Sequence, residues 1–437
     1  MVSWNTAASD SPSRVFSVAP CFGGEIALLQ GTMAKVSDNT ICILDVGSLK
    51  TCVWVGEVTE AGLRYRGHGI ADSKGSRKGV IVELEKATAS IQRAVEQAEA
   101  TAQMPIERAT LGIGGPHIRG FNSRGGISLG SRPREINRDD VRQAVERARS
   151  VSLPPDRQTI HLLPQEFIVD EQGSIQDPIG MIGMRLEVNA HVVTGAAGAA
   201  QNLVTAANKA GIHVDDIVFE PLACADATLD SDERELGVCL IDIGAGSTEV
   251  VVFYEGAIAH TGVIPIGGDH FTNDVAVGMR TPLAEAEKIK RLFGCAVVTS
   301  VPEGNEIEVP SVGERPARLM SQRTLGEILE PRARELFEML RDQLRQARVF
   351  EGLGAGCVLI GGASRLPAIC EIAEQVLRCP ARLGHVSGIP RMPTSLAQTD
   401  FASSVGLLMY THRARVGRIK EEQQSLKARL RTLFVGA

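Results

Sequence analysis

Two short apolar runs each end in an aspartate, one further residue and a glycine. Ile41 to Leu44 precede Asp45-Val46-Gly47-Ser48, and Val238 to Ile241 precede Asp242-Ile243-Gly244-Ala245-Gly246-Ser247-Thr248. An apolar run of that length reads as a buried strand. The glycine behind it lets backbone N–H groups approach phosphate oxygens closely. A carboxylate facing phosphates cannot ligate them, so the partner of Asp45 and Asp242 is read as Mg2+ held through water. Occurring twice, with Lys50 just behind the first turn, the pattern suits a nucleoside triphosphate such as ATP gripped between two similar half-molecules.

Four further groups fit around such a ligand. Gly361-Gly362-Ala363 follows another strand-like run and would lie flat against a base or ribose; a tight strand-to-helix connection is the plainer alternative. Gly267 and Gly268 would admit phosphates or ribose. Glu287 and Lys290 stand three apart on one helical face and would border an adenine, unless they form only a solvated ion pair. Glu220, just before Pro221 at a helix start, would orient an attacking water or simply match the helix dipole.

The elements that must position these groups repeat. Strands are expected at 41–44, 52–58 and 63–70 with a helix at 84–102, then again at 238–241, 249–254 and 257–264 with a helix at 270–277. A meander followed by a helix is an α/β opening. Asp45 and Asp242 are far enough apart for each half to carry an insertion. The first is expected at 111–193, a small α+β subdomain with a basic loop at 119–134, a helix at 138–151 behind the cap residue Asn137, and strands at 166–169 and 184–186. The second is a lid at 279–351 with helices at 282–292 and 326–350. The expected division is a flexible segment 1–38, a first core of 39–110 and 194–218, a second core of 219–278 and 352–411, the two insertions, and a tail of 412–437.

With 437 residues and 43% hydrophobic content, the chain can fill two or three cores. A net charge of -6 argues against a general nucleic-acid binder. The cysteines include no C-x-x-C pair, and Cys42, Cys239 and Cys357 lie in apolar runs, which favours a reducing cytoplasm. No apolar stretch is long enough to span a bilayer, and the N-terminus does not read as a secretion signal.

In order, Asp45-Val46-Gly47-Ser48, Glu220-Pro221-Leu222-Ala223, Asp242 to Thr248 and Gly361-Gly362-Ala363 resemble the phosphate-1, connect-1, phosphate-2 and adenosine motifs of the actin, Hsp70 and sugar-kinase superfamily. Within it the chain resembles the bacterial FtsA cell-division family, through Ile266 to Asp274, Val312 to Arg318, Thr324 to Pro331 and Ser403 to Leu408. The resemblance covers roughly residues 40 to 437. It implies an actin-like duplicated ATPase fold of two RNase H-like lobes, with 111–193 as the family's special subdomain. It also implies that 279–351 binds the C-terminal peptide of the tubulin-like protein FtsZ, with Arg318, Arg323 and Arg332 as candidates to meet that acidic peptide.

The tail argues independently. Ile419, Leu426, Leu430, Leu433 and Phe434 recur at helical spacing, with Arg418, Lys420, Lys427, Arg429 and Arg431 on the flanks and opposite face. From Arg413 onward seven basic residues stand against Glu421 and Glu422, which suits an amphipathic helix on an anionic membrane surface. A helix docked on the protein body is the alternative. The connector after Tyr410 reads as short.

The function these features imply is an ATP-binding, actin-like division protein that self-associates into filaments. It would tether FtsZ to the cytoplasmic face of the membrane at the septum and recruit later division proteins, with at most weak hydrolysis. A small-molecule kinase or a pilus-assembly ATPase on the same scaffold are the rivals. The kinase would need a second substrate pocket with its own general base.

Overall fold

The computed structural model describes residues 39–313 and 315–417. The segment 1–38 and the amphipathic tail beyond 417 lie outside the described residues.

The first half opens with the meander β1 (Thr40–Val46), β2 (Lys50–Thr59) and β3 (Gly62–Asp72). A two-residue ladder, β4 (Ser76–Arg77) and β5 (Val80–Ile81), leads to helix α1 (Leu84–Ala102) and strand β6 (Arg108–Ile113). After an insertion come α3 (Ala197–Lys209) and β13 (His213–Phe219), completing a sheet of order β13-β6-β1-β2-β3. Helix α4 (Glu220–Thr228) and the short α5 (Ser231–Leu236) cross to the second half.

There β14 (Val238–Ile243), β15 (Thr248–Tyr254) and β16 (Ala257–Ile264) repeat the meander, and β19 (Gly356–Ile360) and β20 (Ala381–Leu383) complete the order β16-β15-β14-β19-β20. In both sheets the first strand pairs antiparallel with the second and parallel with the fourth. The duplication expected from the two turns is therefore present strand for strand. β14 is buried along its whole length, as its continuous apolar run requires.

The insertion into the first half forms its own antiparallel sheet of order β10-β9-β12-β7. Its strands are β7 (Arg119–Ser128), β9 (Arg157–Val169), β10 (Gln172–Ile175) and β12 (Arg185–Ala196), with β8 (Arg134–Glu135) and β11 (Ile182–Gly183) as a small side ladder. The sequence reading needs correction here. Most of the expected basic loop 119–134 is strand β7, paired with β12 from Arg119 opposite Thr194 to Ser128 opposite Arg185. The strand-like stretches at 166–169 and 184–186 are fragments of much longer strands. Arg, Gly and Ser hide the alternation, and long-range pairing overrides weak local preference.

Helix α2 (Arg138–Arg149) packs on β7. Asn137 caps it, accepting from the N–H groups of Asp139 and Asp140, while Asp140 closes a capping box and is gripped by both terminal nitrogens of Arg134 at 2.7 and 2.6 Å. Asn137→Ala should cost about 1 kcal/mol, read as a lowered denaturation midpoint.

Helix α6 (Gly268–Gly278) follows the repeated meander, and in the second insertion α7 (Leu283–Phe293) precedes a hairpin of β17 (Glu306–Val309) and β18 (Arg318–Ser321) not expected from the sequence. Helix α8 (Gln322–Gln346) starts and ends earlier than expected and contains Pro331. After α9 (Ile369–Leu377), a final helix α10 runs over 402–417. It passes straight through Tyr410, so the expected connector there is helix instead. No helix among the described residues is long and apolar enough to cross a membrane.

Candidate functional site

The two aspartate turns close identically. Gly47 N–H donates to Lys50 O and Gly244 N–H to Ser247 O, each at 3.0 Å. This clamp turns β1 into β2 and β14 into β15, leaving Asp45 and Asp242 at equivalent strand ends. Both carboxylates are buried, at 8% and 9% exposure. They act on one another: after burial, the Asp45 carboxylate contributes most to raising the affinity of Asp242 for a proton. The turns also meet. A Cβ at Gly246 would lie 2.9 Å from Ser48 Oγ and 2.8 Å from the Lys78 Cα, so only glycine allows this approach.

The other expected residues converge on the second turn. Gly267 packs so closely on Gly244 and Ala245 that a Cβ would lie 2.6 Å from the Ala245 carbonyl, and Gly268 N–H donates to Gly244 O at 2.9 Å. Thr248 Oγ1 donates to Ile266 O at 2.8 Å, fixing that glycine loop. Lys290 Nζ donates to Gly268 O at 3.0 Å and pairs with Glu287 at 2.6 Å, so the helical pair is an ion pair and also borders the glycine turn. Ala363 stands 3.3 Å from where a Gly268 Cβ would be. Gly361 has φ 86°, and a Cβ there would lie 2.3 Å from Asp242 Oδ1. Gly362 follows in the same turn.

Lys50 lies within electrostatic reach of Asp45 and Asp242 and is anchored from the far end of the chain. Its Nζ donates to Asp400 O at 2.5 Å and lies 3.6 Å from the centre of the Phe401 ring. The arginines at 318, 323 and 332 are already engaged: Arg318 with Met279 O at 2.6 Å, Arg323 with Glu303 at 2.7 Å, Arg332 with Asp274 at 2.6 Å.

Several residues at the site had no assigned role in the sequence reading. Glu249 lies directly across from Asp242 in the β14–β15 register, on the same face of the sheet. Counting back from the turn would have found it. Its Oε1 accepts the Gly115 N–H at 2.5 Å; its Oε2 is buried and has no partner among the described residues. Ser404 Oγ donates to Asp45 at 2.9 Å and Ser403 Oγ to Asp242 at 3.4 Å, so the start of α10 bridges both aspartates. Lys78, on the β4–β5 turn, reaches over the second half to Pro265 O and His270 Nε2, both at 3.3 Å. Ser403 and Ser404 open one of the segments that carry the family resemblance, which gave them no role, and nothing local in the sequence marks Lys78.

Glu220 joins the cluster from the start of α4, with its Oε1 2.8 Å from where a Gly112 Cβ would stand. Four carboxyls thus crowd one buried space. Burial, then neighbouring carboxylates, pushes Asp242 up to about 6 and Glu249 to about 8. Burial likewise raises Asp45, against the pull of Ser404 and Lys50, and raises Glu220 well above the carboxylate range.

A group whose folded pKa is raised holds extra protons in the native state and loses that stabilisation as pH climbs through the folded value. Melting temperature of the ligand-free protein should therefore fall as pH rises from about 4 to about 8, the upper part from about 6 belonging to Glu249, and Glu249→Gln should flatten that upper part. An unchanged slope in the variant would count against the crowding.

Among the described residues no three His, Cys, Asp or Glu side chains are close enough to hold a metal ion directly. Mg2+ held through water still fits: four carboxyls gather in one buried space with only Lys50 among the described residues acting against their crowding, Glu249 Oε2 has no hydrogen-bond partner among the described residues, and glycines line the space a phosphate chain would fill. Asp45 and Asp242 would hold the hydrated ion, which would neutralise phosphate charge. The glycine N–H groups would bind phosphate oxygens, and Glu220 would orient water.

The sequence profile described as "Cell division protein FtsA" matches residues 239–406, and that described as "SHS2 domain inserted in FTSA" matches residues 115–194. The chain is 42% identical to the cell division protein FtsA of Pseudomonas aeruginosa over 380 residues, covering 86% of this chain and 91% of that one. It is 36% identical to the FtsA of Escherichia coli K12, covering 86% and 92%. Among solved structures, the PilM-PilN type IV pilus biogenesis complex aligns with TM-score 0.60 at 16% identity, over 85% of this chain and 98% of that one. MreB5 of Spiroplasma citri bound to ADP aligns with TM-score 0.54 at 13% identity, over 88% and 99%. At such identities these structures establish the fold alone: an actin-like duplicated α/β architecture, here with an SHS2 insertion.

Proposed function

The chain belongs to the family of the cell division protein FtsA, and from that membership we propose that it is an ATP-binding filament-forming adaptor. It tethers FtsZ to the cytoplasmic face of the membrane at the division septum and recruits later division proteins. The observation that carries the nucleotide part is the pair of identically clamped turns meeting at Ser48 and Gly246, with Asp45 and Asp242 buried beneath them.

ATP with Mg2+ acts here mainly as a ligand that favours one arrangement of the two halves, since binding one conformation alone shifts the population toward it. Hydrolysis is at most weak. Ionised carboxyls bind a hydrated cation, so uptake releases protons, and affinity rises as pH climbs from about 6 to about 8. Calorimetry in buffers of different ionisation enthalpy reads that release directly; heats independent of the buffer would contradict it.

The FtsZ C-terminal peptide docks on the region 279–351. Of the three candidate arginines, Arg323 exchanges partners at least cost, because Glu303 is 87% exposed, whereas Arg332 is held by two oxygens of Asp274. Co-sedimentation with FtsZ filaments tests the adaptor. Wild type should pellet with FtsZ, and Arg323→Glu should reduce the pelleted fraction. Absence of wild-type co-sedimentation would overturn the adaptor reading.

A further inference from the structure

The inserted domain is braced on both halves of the molecule. It hangs from the first half by two stalks, which Arg157 stitches together by donating to His117 O at 3.1 Å and Thr194 O at 3.0 Å. Its sheet also rests on β16 of the second half: Gln165 Nε2 donates to Ile258 O at 2.7 Å, and His191 Nε2 meets Thr261 Oγ1 at 2.8 Å. A Cβ at Gly120 would lie 2.0 Å from that Thr261 hydroxyl, so the seating is close-packed. A change in the angle between the halves must strain the stalks or shift the domain on β16.

One side chain belongs to both the cleft and a stalk. Glu249 shares the face of Asp242, and its Oε1 holds the N–H of Gly115, where the first stalk begins. A Cβ at Gly114 would lie 2.4 Å from the same oxygen, so the stalk cannot slide past it. Meanwhile Oε2, in a residue 8% exposed, has no hydrogen-bond partner among the described residues, a costly state for a buried polar atom that an incoming hydrated cation or water would relieve. Relief at Oε2 draws on the same carboxyl that holds Gly115.

We propose that Glu249 is a positioning residue joining the acidic cleft to the root of the inserted domain, so that a cation–nucleotide complex in the cleft reseats that domain on β16. This rests on the nucleotide reading above. The ligand needs no contact with the inserted domain; the carboxyl carries the change to Gly115, and Arg157 passes it to both stalks.

Hydrogen exchange of the full chain tests the link, without ligand and with saturating Mg2+ and a non-hydrolysable ATP analogue. In wild type, exchange at 112–119 and 258–262 should change about tenfold on binding, the scale of one hydrogen bond to a carboxyl. Glu249→Gln keeps an acceptor for Gly115, so its empty-state protection at 112–119 should stay while the ligand response is lost. Glu249→Ala should lose both, with exchange in Val238–Ile243 unchanged as the control for folding. Wild-type binding by calorimetry with no response at either segment, or a full response surviving in both variants, would overturn the coupling alone. Absence of wild-type binding would overturn the nucleotide reading and the coupling with it.

Discussion

Asp242→Ala should abolish tight Mg2+–ATP binding, lowering affinity by at least about thirtyfold, the low end of what truncating a buried charged partner costs. The side chain sits under Gly361, accepts from Ser403 at 3.4 Å and faces Asp45 and Glu249, so no neighbour can take its place. Asp242→Asn is the sharper test. It keeps an acceptor for Ser403 and removes only charge, so it should lose affinity comparably while the empty protein becomes more stable, because like charges no longer crowd the cleft. Calorimetry and thermal melting of the same two variants read both effects. Wild-type affinity in Asp242→Asn would show that the charge is not used for the cation.

Truncation after Val416 should release the protein from anionic vesicles at physiological salt. Two of the seven basic residues counted from 413 onward are occupied within the fold: Arg413 pairs with the buried Asp226 at 2.7 Å and Arg415 donates to Thr40 O at 3.1 Å. The other five, Arg418, Lys420, Lys427, Arg429 and Arg431, lie outside the described residues and are the ones the anchor reading assigns to a leaflet. At roughly 1 kcal/mol each near such a surface, their loss amounts to about 5 kcal/mol, several thousandfold in partitioning, before the apolar contribution of Leu426, Leu430, Leu433 and Phe434. Sedimentation with vesicles should move the truncated chain to the supernatant. Equal pelleting of full and truncated chains would rule this anchor out.

How far the sequence could be read depended on how local each signal was. Asp45 and Asp242 were legible because strand, turn and glycine are contiguous, and the whole duplicated meander followed from them. Glu287 and Lys290 were legible as a helical pair, although their grip on Gly268 was not, since that contact spans the lid and the second turn. Ser403 and Ser404 reach Asp242 and Asp45 from 161 and 359 residues away, and no periodicity encodes such distances. Lys50 is legible as a cleft residue from its adjacency to the turn, and its charge does act on Asp45 and Asp242, but its anchoring on Asp400 and Phe401 is not, because those residues are distant in sequence. In the inserted domain, β7 reads as a loop from sequence because Gly120, Gly125 and Gly126 interrupt it. Two of those glycines are there for packing: Gly120 lets the strand lie against His191 and Thr261, and Gly125 lets α2 approach.

The central claim is that the two clamped turns hold one metal-bound triphosphate between them. A crystal structure of the full chain grown with Mg2+ and a non-hydrolysable ATP analogue tests it most directly. Phosphate oxygens are expected against the N–H groups of both Gly47–Ser48 and Gly244–Gly246, with a hydrated cation between Asp45 and Asp242 and the base near Gly268, Lys290 and Ala363. Phosphates bound to one turn only, or to any site away from both aspartates, would contradict it.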